Sequence, residues 1–243
     1  MKVLLSCDNI QLAYGDNVVV DVPQLSIESG SFIGLIGPNG AGKTTLMRSM
    51  AGQFAPRKGK VYFLNENIYH HNKAYKEQIG FVFENPFFYA HMTALEFLEF
   101  VARIYNVNKD SLNGKMEDIL RKVGLFNERN KMTSFLSLGM RKKLAIAAAM
   151  IHKPRLLFLD EALNGIDIES LFAIKSMLKD YVDGGGSILL STHVLEVVER
   201  LCDRYVLLKQ GRIVTDFTEN TLQHQGIPLE THVLSFLGTK NSG

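Results

Sequence analysis

A glycine-rich segment that ends in lysine and threonine is the strongest chemical signal in the sequence. Residues 37–44 read Gly-Pro-Asn-Gly-Ala-Gly-Lys-Thr, between an apolar run at 31–37 and a helix-forming segment at 43–50. Glycines let the backbone curl so that its N–H groups and the following helix N-terminus face phosphate oxygens. Lysine adds charge at the outer phosphates, and the threonine hydroxyl can bind Mg²⁺. We therefore predict a phosphate-binding loop with nucleotide contacts from Gly37, Asn39, Gly40, Ala41, Gly42, Lys43, Thr44 and Thr45.

Two adjacent carboxylates, Asp160 and Glu161, follow the apolar run at 156–159. A buried strand would deliver them at its carboxyl end, where ligands bind in open parallel sheets. We expect Asp160 to hold Mg²⁺ through water and Glu161 to polarise the attacking water as general base. His193 follows another apolar run, at 187–192, and is expected to reach the γ-phosphate beside Glu161. Alone, such a pair is often a solvated turn and such a histidine structural; the phosphate loop makes the catalytic interpretation specific.

The elements that must position these residues alternate as in an α/β fold. Segments 3–14, 17–22 and 24–29 are rich in β-formers, are separated by turn residues such as 15–17, and predict an antiparallel set of strands. The runs at 155–160, 187–192 and 204–209 predict buried parallel strands, with a helix over 169–181. Helical periodicity without a convincing strand covers 93–105, 110–123 and 139–151. We predict a parallel-sheet core, an N-terminal antiparallel β subdomain and an inserted α-helical subdomain.

The length of 243 residues favours one domain with subdivisions. We assign 1–85 and 154–215 to the nucleotide-binding core, 86–153 to the helical subdomain, and 216–243 to a tail with helices at 219–225 and 229–237.

Composition excludes several classes of protein. Hydrophobic residues make up 46% and charged residues 21%, and no apolar run reaches the 18 or so residues of a membrane span. The N-terminal segment does not resemble a signal peptide, so we expect a cytosolic chain. The net charge of +2 is too small to indicate a basic surface for nucleic acid. Cys7 and Cys202 are expected to be buried free thiols, and the cluster Arg141, Lys142 and Lys143 to be the solvated face of a helix.

In combination, these motifs resemble the ATP-binding subunits of ABC transporters over roughly residues 3–215. The resemblance implies a P-loop NTPase (RecA-like) core that binds ATP and Mg²⁺ and hydrolyses ATP. It implies that Tyr14 stacks on adenine. It also implies that Ser137 and the Gly139 backbone, in Leu136-Ser-Leu-Gly-Met140, contact the γ-phosphate of an ATP held by a second subunit. Asp167 would link the two sites, so a dimer is expected, most simply a homodimer.

The sequence departs from the family pattern at three places. Glu84 stands where the family has a glutamine that senses Mg²⁺ and water, so we expect a metal contact with an added charge. Leu138 and Met140 replace a glycine and a glutamine of the signature segment, while the serine and the second glycine remain. Ala162-Leu163 replaces the usual proline and threonine.

Phe87, Phe88 and Tyr89 are expected to be partly core. In the family, this region receives a helix of the membrane subunit, and an exposed apolar patch here would mark a docking site. The chain looks most like the separately encoded subunits of bacterial exporters, held at the inner face of the membrane by an integral membrane transport subunit.

Rival functions can be weighed against the same residues. A GTPase would need an N-K-x-D element, and both Asn-Lys segments, at 72–75 and 130–133, lack the aspartate. A chromosome-structuring ATPase would carry a long heptad insertion between the two phosphate motifs, and the insertion here is short and lacks heptads. A ribosome-acting ABC protein usually has two such domains, and this sequence shows one. A soluble ATPase, or a regulatory module that binds ATP without hydrolysis, stays open. Lys43, Asp160, Glu161 and His193 favour hydrolysis.

Overall fold

The computed structural model describes residues 2–70, 72–108, 110 and 112–238. The strands along the chain are β1 (Val3–Tyr14), β2 (Asn17–Glu28), β3 (Phe32–Ile36), β4 (Lys58–Phe63), β5 (Glu66–Asn67), β6 (Ile79–Val82), β7 (Leu156–Asp160), β8 (Ser187–Thr192), β9 (Arg204–Lys209) and β10 (Arg212–Thr218). The helices are α1 (Lys43–Met50), α2 (Asn72–Lys76), α3 (Ala94–Ile104), α4 (Leu112–Lys122), α5 (Leu138–Met150), α6 (Ile168–Asp183), α7 (Leu195–Leu201), α8 (Glu219–Gln225) and α9 (Leu229–Leu237).

These helices and strands are divided between two compact units. One contains the residues up to Lys76 and those from Ser187 onward; the other is Glu77–Gly186. The helices predicted at 43–50, 219–225 and 229–237 are confirmed. Those predicted at 93–105, 110–123, 139–151 and 169–181 are confirmed within two residues at each end. Residue 111 of the second of these, and residues 239–243 of the predicted tail, lie outside the described residues.

The first unit contains an antiparallel sheet in the order β2-β1-β4-β5. The segments predicted as separate strands at 17–22 and 24–29 form the single strand β2, so that prediction is wrong. Pro23 lies inside β2, which is at the edge of this sheet, and an edge strand tolerates a missing N–H. The side of β1 that carries Leu5, Cys7 and Leu12 is buried, which gives the sheet a core face.

The same unit holds four further strands in the order β10-β9-β3-β8. β3 is parallel to both β8 and β9, as the apolar runs predicted, and β10 returns antiparallel to β9. All of β3 and β8 is buried. Since β3 and β8 end side by side, with Ile36 opposite Thr192, the residues that follow them emerge at one edge of this group of strands.

Arg204 joins the two groups of strands within the first unit. Its guanidinium donates to the Asp216 carboxylate at 2.7 and 2.6 Å, to the Glu28 carboxylate at 2.9 Å and to the Ser26 carbonyl at 2.8 Å. The hydrogen bonds that Arg204 donates to Asp216, followed by the charge and hydrogen bond of Glu28, raise the pKa of Arg204 against the opposing effect of burial. These bonds fix β2 against β9 and β10.

The second unit combines the parallel pair β6 and β7 with helices α3 to α6. α3 begins with a capping box, in which Thr93 Oγ1 accepts from the Glu96 N–H and the Glu96 carboxylate accepts from the Thr93 N–H. β7 is buried along its whole length. In the described part of the chain, no helix has the length and apolarity needed to cross a bilayer. Cys7 and Cys202 are buried free thiols, as expected.

Candidate functional site

The glycine-rich segment forms the connection between β3 and α1. Gly40 and Gly42 have φ of 78° and 101°, in the region that glycine favours, and a side chain at 42 would come within 2.7 Å of Val20 Cγ2. A Cβ at Gly37 would overlap the backbone carbonyl oxygen of Leu208. The loop is also tied by the Gly211 N–H, which donates to the Ala41 carbonyl at 2.9 Å. The backbone therefore needs glycine at 37, 40 and 42.

The side chains of the loop divide into a buried lysine and more accessible polar groups. Lys43 is 7% exposed, and its Nζ donates to the Gly37 carbonyl at 2.7 Å and the Pro38 carbonyl at 3.3 Å. Asn39 and Thr44 are exposed, and Thr45 is half-buried. The ammonium group thus lies against its own loop, at the N-terminus of α1, where backbone N–H groups and the helix dipole favour an anion.

Tyr14 and His193 are the other predicted site residues of this unit. Tyr14 ends β1 and is 58% exposed, with its ring centroid 6.3 Å from that of Phe54. His193 is exposed directly after β8, and the next N–H, from Val194, donates to Thr192 Oγ1 at 3.1 Å. The Tyr14 ring is therefore accessible for stacking on a planar ligand, and the His193 side chain is accessible to a polar one.

In the second unit, Asp160 and Glu161 lie where β7 ends. Both are buried, at 2% and 8% exposure. Glu161 has φ of 48°, an uncommon conformation for a residue with a side chain. Its carboxylate accepts a 2.6 Å hydrogen bond from Asn164 Nδ2, and its backbone carbonyl accepts a 3.0 Å bond from Lys142 Nζ. Glu161 is therefore held at both its side chain and its backbone.

The prediction that Arg141, Lys142 and Lys143 form a solvated helix face is wrong. Lys142 and Lys143 are only 4% and 6% exposed, and Arg141 is partly buried. Consecutive helical residues point about 100° apart, so three in a row cannot share one face. Lys143 Nζ donates to Ser170 Oγ at 2.8 Å and lies 3.4 Å from the Asp167 carboxylate.

The charge of Lys142 depends on two carboxylates. Burial lowers the pKa of Lys142, and the charges of Glu84 and then Glu161 oppose that effect. Glu84 is exposed and lies two residues after the end of β6. The sequence analysis did not assign Lys142 or Asn164 to this site. The spacing of Asn164 three positions after Glu161 was the available signal.

The remaining predicted residues lie at helix starts. Ser137 caps α5, with its Oγ accepting from the Met140 N–H at 3.2 Å, and Leu138 is 55% exposed. Gly139 approaches the Gly165 carbonyl closely, since an added Cβ would lie 3.0 Å from that oxygen. Asp167 caps α6 and is exposed; its bonds with Ser170, and then Lys143, lower its pKa.

Aromatic residues after β6 form an apolar groove in the second unit. Its cavity of about 220 Å³ is lined by residues that include Phe83, Phe87, Phe88, Phe97 and Tyr105. Phe87 is 79% exposed and Tyr89 49% exposed, so they are not core residues, and this part of the expectation is wrong. Phe88 is half-buried, with its ring 4.7 Å from that of Phe97. The exposed rings leave an apolar surface that water solvates poorly.

Comparison with known proteins gives a consistent result. The sequence profile of the family described as ABC transporter matches residues 20–164. The bacitracin transport ATP-binding protein BcrA of Enterococcus faecalis is 34% identical over 218 residues, which cover 89% of this chain and 70% of that protein. The ABC-type transporter ATP-binding protein EcsA of Bacillus subtilis (strain 168) is 29% identical over 91% of this chain and 90% of that protein. A solved ATP-binding subunit of an ABC transporter superposes with a TM-score of 0.90 at 28% identity, over 96% of this chain and 99% of that chain.

The profile match spans the phosphate-binding loop and the two carboxylates at the end of β7, Asp160 and Glu161. The chain therefore belongs to the ABC transporter family, and its α/β fold is that of the family's P-loop ATPase domain. Within that family it is an ATP-binding subunit, an ATPase, as the sequence motifs implied.

Proposed function

We propose that the chain hydrolyses MgATP as half of a dimer and thereby drives export of a substrate through a separate membrane subunit. The observation that carries the hydrolytic part is Glu161, which is buried directly after β7. Its carboxylate accepts a hydrogen bond from Asn164, and its backbone carbonyl accepts one from Lys142. A fixed carboxylate next to a second one, Asp160, suits a division into general base and metal ligand.

ATP binding is assigned to the loop at 37–45 and to Tyr14. The loop N–H groups and Lys43 take the phosphates, and Lys43 then exchanges the Gly37 and Pro38 carbonyls for phosphate oxygens. Tyr14 stacks on the adenine through its exposed ring. In hydrolysis, Glu161 takes the proton of the attacking water and His193 donates to the γ-phosphate.

We expect only one to three protein side chains to bind Mg²⁺ directly or through water. The described residues contain no group of three or more His, Cys, Asp and Glu side chains arranged to hold a metal by themselves. Mg²⁺ keeps most of its waters and phosphate oxygens, so one or two hard oxygen ligands are enough. The Thr44 hydroxyl and the Asp160 carboxylate are of this kind, and Glu84 is a third candidate. When bound, Mg²⁺ would neutralise charge on the β- and γ-phosphates.

The dimer is assigned to the signature segment. Ser137 and the Gly139 backbone would contact the γ-phosphate held by the second subunit, and Asp167 would link the two sites. Supporting this, Ser137 and Asp167 each lie at the N-terminus of a helix, and Leu138 presents an apolar side chain to solvent. MgATP would close the dimer and hydrolysis would reopen it.

The helical subdomain at 86–153 is assigned the docking face. The groove with Phe87 at its rim would take an apolar helix of an integral membrane subunit, which would hold this chain at the inner face of the membrane. The similarity to BcrA, a bacitracin transport ATP-binding protein, supports a transport role by analogy.

Capture from solubilised membranes tests the transport role against a soluble ATPase. The tagged chain is recovered from its own cells, co-purifying proteins are identified by mass spectrometry, and ATPase activity is measured with Lys43→Met as the inactive control. A polytopic membrane protein that is lost with Phe87→Ser, but kept with Ile104→Ser, would support docking at the groove; Ile104 is an exposed apolar residue of α3. Recovery of soluble proteins or ribosomes alone would leave the ATPase and remove the transporter.

A further inference from the structure

Lys142 has an unusual position for a lysine. It is 4% exposed, lies on the buried side of α5, and directs its Nζ to the backbone carbonyl of Glu161 at 3.0 Å. An ammonium group is among the groups least often buried without a partner. A hydrogen bond from a charged donor contributes more than a neutral one, so this contact is a strong local constraint on the Glu161 peptide.

The backbone that this bond restrains is strained. Glu161 has φ of 48°, and a left-handed conformation is unfavourable for a residue with a Cβ. Such conformations persist where the surroundings fix them, and they are concentrated at functional sites. Ala162 and Leu163, which follow, are buried and give no polar support. The Glu161 carbonyl accepts a 3.0 Å bond from Lys142 Nζ and a longer, 3.4 Å bond from the Asn164 N–H. The shorter, charged bond from Lys142 is the stronger restraint on the orientation of this carbonyl, and with it on the direction in which the Glu161 side chain leaves the chain.

The two buried lysines of α5 have different partners. Burial lowers the pKa of Lys142, and the charges of Glu84 and then Glu161 oppose that effect. Lys143, the neighbouring buried lysine, donates instead to Ser170 and faces Asp167. The two lysines therefore serve different partners, and only the Lys142 contact reaches Glu161 among the hydrogen bonds described for them.

We propose that Lys142 is a positioning residue for ATP hydrolysis: its ammonium group holds the Glu161 backbone so that the carboxylate lies where the attacking water must be activated. This inference rests on the proposed role of Glu161 as the base. Lys142 touches neither nucleotide nor water in this scheme. Its loss therefore slows the chemical step and leaves ATP affinity intact.

The test compares four variants of the full chain. Lys142→Met keeps the length of the side chain and removes both charge and donor; Lys142→Arg keeps both; Lys142→Gln keeps a shorter, neutral donor. Lys122→Met is the control, since Lys122 is exposed and pairs only weakly with Asp118 on α4. The measurements are single-turnover hydrolysis at saturating ATP, the Kd for ATP under non-hydrolysing conditions, and the thermal midpoint.

We expect Lys142→Met to lower the single-turnover rate about 10- to 100-fold while the Kd for ATP changes by less than about twofold. Lys142→Arg should recover most of the rate, Lys142→Gln should remain slow, and the control should match the wild type. A wild-type rate in Lys142→Met overturns the proposal. So does a fall in rate that is matched by lost affinity or by a lower folded fraction. If Lys142→Met does not fold, a wild-type rate in Lys142→Gln overturns it instead.

Glu161→Gln separates this inference from the function on which it rests. If Glu161→Gln hydrolyses ATP normally, the assignment of the base is wrong and the positioning role falls with it. If Glu161→Gln is inactive and Lys142→Met keeps the wild-type rate, the base stands and only the positioning role is wrong.

Discussion

Replacing Gly37 by alanine tests whether the loop geometry determines ATP affinity. The added Cβ would overlap the Leu208 carbonyl oxygen and lie 3.3 Å from the Ala41 Cβ. Leu208 belongs to β9, which pairs with both β3 and β10, so that carbonyl cannot move without disturbing two strand pairs. The loop must therefore shift, and the strain of overpacking is about 1–3 kcal/mol.

Two quantities follow from that shift. For a chain of this length, about 1–3 kcal/mol corresponds to a fall of about 2–12 °C in the thermal midpoint. A displaced loop also misaligns N–H groups that donate to phosphate, and each charge-assisted bond contributes about 1.5–3 kcal/mol. Loss of one such bond weakens ATP binding about 10- to 150-fold. Differential scanning fluorimetry and a titration with fluorescent ATP measure the two effects.

Gly30→Ala is the matched control. Gly30 also has a positive φ, of 74°, but an added Cβ would meet no atom within 4 Å. It should lower stability by about 1–2 kcal/mol through backbone strain alone. Its ATP affinity should equal that of the wild type. An affinity in Gly37→Ala within about threefold of the wild type would refute the reasoning, because about 0.65 kcal/mol is less than one phosphate hydrogen bond.

Three further predictions concern binding, chemistry and stability. Lys43→Met should weaken ATP binding about 30- to 150-fold, because the phosphates lose a charged donor, and a titration that gives an unchanged Kd would exclude Lys43 from the site. Glu161→Gln should bind ATP with an affinity within about threefold of the wild type, yet release phosphate at least about 100-fold more slowly; phosphate release at the normal rate would remove Glu161 as the base. Arg204→Met should lower the free energy of unfolding by about 1–3 kcal/mol, measured by urea denaturation, because Asp216 and Glu28 lose their shared partner although solvent partly screens both. No change in the urea midpoint would show that these ion pairs contribute nothing to stability.

Local signals in the sequence predicted the elements that carry chemistry. The glycine spacing predicted the phosphate-binding loop, and long apolar runs predicted β3, β7, β8 and β9. No strand was predicted for β4 and β10, in which charged or polar residues face solvent, or for β6, which has only four residues. Their pairing depends on partners distant in the chain, which periodicity does not report.

The positions of the buried lysines could not be predicted in the same way. Charged residues are rarely buried unless they have partners, so a run of three basic residues favours a solvated face. The partners of Lys142 and Lys143 lie 19 to 27 residues further along the chain, after β7 and at the start of α6. The burial of these lysines thus depends on tertiary contacts, which composition does not reveal.

The β2 edge bears on how this chain can associate. An open strand edge offers a row of backbone donors and acceptors on which another chain can add a strand, a common route to aggregation. Here Pro23 has no N–H to offer, and the Asp21 N–H already donates to the Gly211 carbonyl at 2.8 Å, beside an ion pair between Arg212 and Asp21. The outward-facing N–H groups of β2 are therefore unavailable at two successive positions, Asp21 and Pro23. The β2 edge is therefore a poor template for the addition of a strand from another chain.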